Sequence, residues 1–397
     1  MLTEGEIFKE AWSMKEYITA AYRHLHRHPE VAHEEQQTNL YIRKELDDME
    51  VSWLAPADNI TIAVLDSGMQ GATVGLRCDT DALPVKEETG LPYASETEGV
   101  MHACGHDAHM AIGLGTIRIL KKHQGKWRGK VKAIFQPAEE GENGADEVIA
   151  TGLVDDVDIF FAIHVWSPYR SGTLHVSPVT VSAAVNMFTV RLTGKGGHGA
   201  TPEKCADAIV AGASLVASLQ TVVSRGTSPM EPAVLTIGSF HGGAAGNIIA
   251  QEAVLKGTIR TLREETREKA SESLRRYAMD TAHMYGCEAE IEDIRVSDAV
   301  RNDPKAAEIA QNCACKLVPA GFVGAQQTMM LGDDFANYGR IAPYCYAQLG
   351  IADKEKQTDY AHHNGRFRVD EDVLPLGAAW MASAAFRFGS DWKESNQ

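Results

Sequence analysis

No apolar stretch in this sequence approaches the roughly 18 residues that a membrane-spanning helix requires. The opening residues, Met1-Leu2-Thr3-Glu4-Gly5-Glu6, have neither the basic start nor the apolar core of a secretion signal. Together these absences predict a cytoplasmic protein with no membrane partner. Positive charge is also in short supply. With 38 Lys and Arg against 54 Asp and Glu, the net charge of -16 repels nucleic acid and anionic membrane surfaces, and excludes both as general partners. The seven cysteines are an odd number, scattered at positions 78, 104, 205, 287, 313, 315 and 345, which argues against a disulfide framework. Cys313 and Cys315 are two apart in a helix-like segment, where such neighbours face different ways, so they are not read as a metal pair. Internal repeats and low-complexity stretches are absent as well.

What remains is an ordinary globular composition, 44% hydrophobic and 23% charged. A soft prior of roughly 150 residues per domain allows two or three units, and the pattern along the chain favours two. Residues 7–50 read as helical, interrupted near Pro29. Strand-like runs then alternate with helices: 74–78 is a strand, 111–120 a helix that Asp107 could cap, and 131–135 and 159–163 are further strands. This alternation predicts an α/β catalytic domain with a central mixed sheet. Between 185 and 298 the order becomes strand 187–192, helix 203–224, strands 233–240 and 253–262, helix 264–285 and strand 289–296. That β-α-β-β-α-β order is ferredoxin-like and predicts an inserted α+β lid or dimerisation domain over 185–298, with 1–184 and 299–397 forming the catalytic domain. The helix 304–317 and strand 344–349 return to the first unit.

Residues with metal-ligand chemistry recur directly after the strand-like runs. Cys104 and His106 occur in Met101-His102-Ala103-Cys104-Gly105-His106-Asp107; Glu139 and Glu140 follow 131–135, His164 follows 159–163, and His362-His363 follows 344–349. Asp79 and Asp81 close the strand 74–78. In open α/β sheets ligands collect outside the carboxyl ends of the strands, so these distant residues can share one site. Thiolate and imidazole suit zinc, and imidazole in mixed oxygen surroundings also suits nickel, cobalt or manganese. Each residue alone has a plainer reading: a buried thiol beside a surface histidine, a solvated acidic turn, a satisfied core histidine, a helix cap. Adjacent Glu139 and Glu140 after a strand are expected to point apart, so that one can hold metal while the other moves protons. The glycine-rich Gly194-Lys195-Gly196-Gly197-His198-Gly199-Ala200 lacks the Lys-Ser/Thr ending of a phosphate-binding loop and the glycine spacing of a dinucleotide-binding one, so nucleotide binding is rejected.

The motifs as a set resemble the dinuclear metallo-amidohydrolases that include hippurate hydrolase, bacterial aminoacylases, N-acetyldiaminopimelate deacetylase and the plant hydrolases of indole-acetyl amino acids, within the aminoacylase/carboxypeptidase superfamily. The resemblance runs nearly end to end. It includes Arg23-His24-Leu25-His26 with Pro29-Glu30, Arg77-Cys78-Asp79-Thr80-Asp81, residues 101–109, 136–141 and 196–200, Gly257-Thr258-Ile259-Arg260-Thr261, Gly332-Asp333-Asp334-Phe335 and His363-Asn364-Gly365-Arg366-Phe367. It implies metal-dependent hydrolysis of the amide of a small N-acyl amino acid, with a dipeptidase or carboxypeptidase, or a non-catalytic metal-binding scaffold, as alternatives. It further implies two divalent ions (Zn, Mn, Co or Ni) on Cys104, His106, Glu140, His164 and His363, with Cys104 bridging. Glu139 resembles the general base, Asp81 a residue that orients the metal side, and His198 an oxyanion donor, delivered in related enzymes across a dimer interface. Asn247 and Arg260 would grip the substrate carboxylate, and the assembly would be a homodimer or homotetramer. Two departures stand out. The His198 loop continues Thr201-Pro202-Glu203 where relatives carry further histidines, and Gly365 replaces a usual proline.

Overall fold

The computed structural model describes residues 2–141 and 143–391. The chain divides into two compact units, one of Met1–Val179, Arg301–Gln327 and Asn337–Gln397, the other of Thr180–Val300 and Thr328–Ala336.

In chain order the elements are helices α1 (Glu4–Ser13), α2 (Lys15–Arg27) and α3 (Gln36–Asp48), and strands β1 (Ser52–Ala57), β2 (Ile60–Asp66) and β3 (Thr73–Asp79). Then come α4 (His106–Lys122), β4 (Lys130–Gln136), α5 (Gly144–Ala150), β5 (Ile159–Arg170) and β6 (Leu174–His175). The second unit holds β7 (Ala184–Thr193), β8 (Gly197–His198), α6 (Ala208–Ser224), β9 (Ala233–Gly242), β10 (Ile248–Ile249), β11 (Glu252–Thr261), α7 (Glu264–Met284) and β12 (Glu288–Ser297). The chain ends with α8 (Pro304–Leu317), β13 (Val323–Gly324), β14 (Tyr344–Ala352) and α9 (Leu374–Asp391).

The first unit is built on an eight-stranded sheet ordered β1-β2-β4-β3-β5-β14-β6-β13. β3 runs parallel to both β4 and β5, and β5 parallel to β14, while β1, β2 and β6 add antiparallel pairs, so the sheet is mixed. β5 is central and its first nine residues are all buried, which is why it reads as one continuous apolar run rather than an alternating one. Pro56 is confined to β1, an edge strand, where a missing ladder donor is tolerated. Helices α4 and α9 pack on the sheet in one core: Ile112 and Ile117 of α4 join Leu76 and Phe161 of the strands, and Phe161 meets the rings of Trp380 (6.1 Å) and Phe388 (4.6 Å) of α9. Cys313 is buried and Cys315 exposed on α8, as expected of neighbours that face different ways.

Local chemistry sets several boundaries differently from expectation. The N-terminal helical stretch breaks at Met14 as well as near Pro29, and α1 starts on a Thr3/Glu6 capping box. Asp107 does not cap α4. The cap lies two residues earlier, at Gly105 (φ 95°), where a side chain would also strike Val165 Cγ2 at 2.3 Å, so glycine is required twice over. The segment 203–224 is not one helix: a short 3-10 turn, Pro202–Lys204, precedes α6, which begins after Asp207 has capped it through Ile209 N–H and Val210 N–H.

The second unit's main sheet is antiparallel in the order β12-β7-β11-β9, with α6 and α7 supplying Leu215, Leu219 and Leu274 to a core against Phe188, Val190, Leu255 and Ile259. Strand order and connection are those of a ferredoxin-like fold. Residues Thr328–Ala336, which the sequence reading leaves in the outer unit, group with this one because Met329 N–H donates to Val181 O (2.9 Å) and Ala183 N–H to Leu331 O (2.8 Å). No helix among the described residues is long and apolar enough to cross a membrane.

Candidate metal centre

The first unit brings Cys104, His106, Glu139, Glu140, His164 and His363 together level with the carboxyl ends of β3 and β4; His164 does not follow its strand as expected but lies within β5, which runs on to Arg170. Donor atoms of Cys104, His106 and His164 lie within 4.8 Å of one another, and so do those of Cys104, Glu140 and His363. The two trios share Cys104, whose Sγ is 3.6 Å from His164 Nε2. His363 Nε2 is 2.9 Å from Glu140 Oε1, and the loop is fixed by His363 N–H donating to Ala103 O (2.8 Å). His106 Nε2 is buried with no hydrogen-bond partner among the described residues, an atom available to a cation.

Glu139 and Glu140 depart from expectation. Carboxylate oxygens of both lie within 4.8 Å of a His106 ring nitrogen and of each other. Strand alternation fails here because β4 ends at Gln136 and the two glutamates occupy a turn after Ala138, which is left-handed (φ 51°) at a cost of about 1–2 kcal/mol. Asp81 braces that turn: its Oδ1 accepts from Glu139 N–H (3.1 Å) and its Oδ2 from Glu140 N–H (2.8 Å). His106 Nδ1 lies 2.8 Å from Asp81 O, leaving Nε2 to face the cluster.

The electrostatics suit cations. Burial, and after it the Glu140 and Glu139 carboxylates, push the Cys104 thiol well above its usual range, a penalty that a nearby cation reverses. Burial holds His164 well below the ordinary imidazole range, with neighbouring histidines adding to it, so it is neutral and able to donate a lone pair. Behind the cluster, His109 was not singled out by the sequence reading. Its Nδ1 lies 2.6 Å from Asp79 Oδ1, and Val165 N–H donates to its Nε2 (2.9 Å), which fixes the tautomer. Asp79, fully buried, pairs with buried Arg77. Burial would raise its carboxyl, but Arg77, His106 and His109 hold it well below the usual range. The sequence signals for His109 are its place at the end of the 101–109 motif and its spacing of three residues from His106 on the same helix.

His362 offers no donor atom to the trios: it stacks on Trp166 (4.6 Å), its ring lies beside that of His164 (5.5 Å) and its Nε2 meets Val165 O (3.0 Å). Gly365 has a local cause, since a Cβ there would fall 2.4 Å from Lys86 O. In the second unit, Gly199 N–H donates to Asn247 O (2.9 Å), which joins the exposed His198 loop to Asn247, and Arg260 Nη1 donates to Met330 O (3.3 Å).

A second buried ionic group anchors the start of α4. His26 Nδ1 is 2.6 Å from Asp107 Oδ2 and its Nε2 is 3.3 Å from Glu87 Oε1. Burial alone would lower this imidazole, but the two carboxylates raise it to about 9. Because the folded value exceeds the ordinary 6.5, the stabilisation is complete below that pH and is lost as pH rises through about 9. Chemical denaturation from pH 6 to 10 should therefore show wild-type stability falling by up to about 3 kcal/mol more than in His26→Gln. Parallel curves for the two proteins would remove His26 as the source.

A mixed α/β sheet carrying two cation-ready trios that share a thiol, with the Glu139 carboxylate beside them, defines a metal-dependent hydrolase. The family model described as peptidase family M20/M25/M40 matches residues 75–387, and the chain belongs to that family, as a metal-dependent amidohydrolase. It is 34% identical to the N-acetylcysteine deacetylase of Bacillus subtilis over 367 residues, covering 91% of this chain and 94% of that one. It is 33% identical to the thermostable carboxypeptidase 1 of Saccharolobus solfataricus over 382 residues, covering 95% and 96%. The crystal structure of a Bacillus subtilis dinuclear metal-binding peptidase of the M20 family superposes with a TM-score of 0.82 at 29% identity, covering 95% of this chain and 99% of that one.

Proposed function

We propose that this enzyme hydrolyses the amide of N-acyl amino acids, with Cys104, His106, Glu140, His164 and His363 holding two divalent ions and Glu139 serving as general base. The observation that supports this most is the pair of donor trios meeting at Cys104. Ions bound there would polarise the scissile carbonyl and lower the pKa of the attacking water. Glu139 would take the proton of that water and return it to the leaving amine, and its carboxylate is already placed 4.0 Å from His106 Nε2. Asp81 would keep the turn of the two glutamates in register through their amides. Roles for His198 as oxyanion donor and for Asn247 and Arg260 as a grip on the substrate carboxylate rest on the resemblance of their motifs.

The relative named as a deacetylase favours an acyl amino acid, and the one named as a carboxypeptidase keeps peptides as a second reading. Chelator-stripped protein, reloaded in turn with zinc, manganese, cobalt or nickel, should release amine from N-acetyl, N-benzoyl or indole-acetyl amino acids faster than from dipeptides. Preference for dipeptides would transfer the proposal to a peptidase, and failure on every substrate with every metal would overturn it.

A further inference from the structure

Glu35 ends the loop before α3, at the position from which a side chain usually caps a helix, yet it makes no capping bond. That task falls to Glu30, whose carboxylate accepts from Gln37 N–H (3.1 Å) and Thr38 N–H (2.8 Å). Relieved of it, Glu35 reaches across the fold: its Oε1 accepts from Ala138 N–H at 2.8 Å. Its residue is 0% exposed. A carboxylate that deep is costly without bonded partners, so its placement demands a reason.

The reason lies in what Ala138 begins. Three successive amides, those of Ala138, Glu139 and Glu140, all donate to carboxylates, the first to Glu35 and the next two to Asp81. They hold a backbone that turns left-handed at an alanine, a conformation L residues avoid unless their surroundings impose it. The segment that carries Glu35 is itself tied to the Asp81 loop, since Ala82 N–H donates to Glu30 O (2.7 Å), and it lies against the far end of the turn, where a Cβ on Gly141 would meet Ala32 Cβ at 2.2 Å.

We infer that Glu35 is a positioning residue for the reaction: by holding the Ala138 amide it sets the turn that aims both Glu139 and Glu140 at one locus. This rests on the roles proposed above for those two glutamates. What the Ala138 amide requires is a hydrogen-bond acceptor at the right reach, not a negative charge; the second oxygen, Oε2, faces Asn59 Nδ2 (3.5 Å), a side-chain amide that can turn its own oxygen to a glutamine. Burial first, and the Asp81 charge with it, raises the Glu35 carboxyl to about 7, which agrees with a group that works close to neutrality. Glu35→Gln keeps an acceptor oxygen at full reach, Glu35→Asp withdraws it by one methylene, and Glu35→Ala removes it.

The test measures kcat and KM at saturating metal, and separately the affinity for zinc and manganese by competition with a chromophoric chelator, alongside thermal melting. Glu35→Ala and Glu35→Asp should each lose about 10- to 100-fold in kcat and in metal affinity with a smaller change in KM, and Glu35→Gln should stay within about threefold of wild type in both. A folded Glu35→Ala with wild-type kcat and metal affinity would overturn the inference, and so would Glu35→Gln as impaired as Glu35→Ala. Should Glu35→Ala not fold, Glu35→Asp against Glu35→Gln makes the same decision. If the wild type cleaves no N-acyl amino acid, the substrate reading fails while the metal-affinity comparison still decides the role of Glu35.

Discussion

Glu139→Gln should lower kcat by about 10²- to 10⁴-fold while the protein binds as much metal as before. The substitution is nearly isosteric, and it leaves in place the backbone bond from residue 139 to Asp81 Oδ1 (3.1 Å), so the turn and the neighbouring Glu140 keep their positions. It removes only the ability to accept and return a proton. The pairing of outcomes is what identifies the role. A ligand lost from the donor set would reduce metal content and activity together, whereas a lost base reduces activity alone. Metal analysis and steady-state kinetics on the same preparation separate the two. Retained turnover would exclude Glu139 as the base, and a fall in bound metal would reassign it as a ligand.

Arg77→Met should destabilise the fold by about 3–5 kcal/mol, the usual cost of stranding one member of a buried ion pair. Arg77 is 3% exposed and Asp79 0%. Asp79 would then keep histidine partners but lose the permanent positive charge beside it. Its ionised form would be far harder to maintain, and with it the anchoring of His109 through the 2.6 Å contact to Asp79 Oδ1. Denaturant titration measures the loss directly. A change under about 1 kcal/mol would mean that His106 and His109 are sufficient counter-charges on their own.

Both predictions draw on groups that differ in how legible they are from sequence. The strands β3, β4 and β5 announce themselves because burial on both faces leaves short, mostly apolar runs, broken only by Arg77 in β3 and Lys132 in β4, and the β-α-β-β-α-β order of the second unit shows in the alternation of strands such as β12. Glu140 and His363 are visible because each follows such a run, and His164 because it stands at the polar break within one; Cys104, in the loop just before α4, shows through its spacing to His106 instead. What sequence conceals is any partner reached through space alone. Glu35 stands in the polar stretch Ala32-His33-Glu34-Glu35-Gln36, where nothing distinguishes it from its exposed neighbour Glu34, and its partner Ala138 is 103 residues away. The error over Glu139 and Glu140 has a similar origin. Period-two reasoning holds only while the backbone stays extended, and the left-handed alanine that ends it carries no glycine or asparagine to signal the turn.

The sheet order has a consequence for how the enzyme is made. β14 lies between β5 and β6, yet it begins at Tyr344, after the whole second unit has emerged from the ribosome. At roughly 5–20 residues per second, the interval between synthesis of β5 and of its neighbour is on the order of 10–40 seconds. Throughout that time a strand whose first nine residues are buried in the finished fold presents an unpaired edge, the kind of surface on which nascent chains associate with one another. The same delay postpones the arrival of His363, so a ribosome-bound chain holds Cys104, His106, Glu140 and His164 before it can close the second trio. At that stage the first trio, Cys104, His106 and His164, is complete with Glu140 beside it, and only the second trio waits for its histidine.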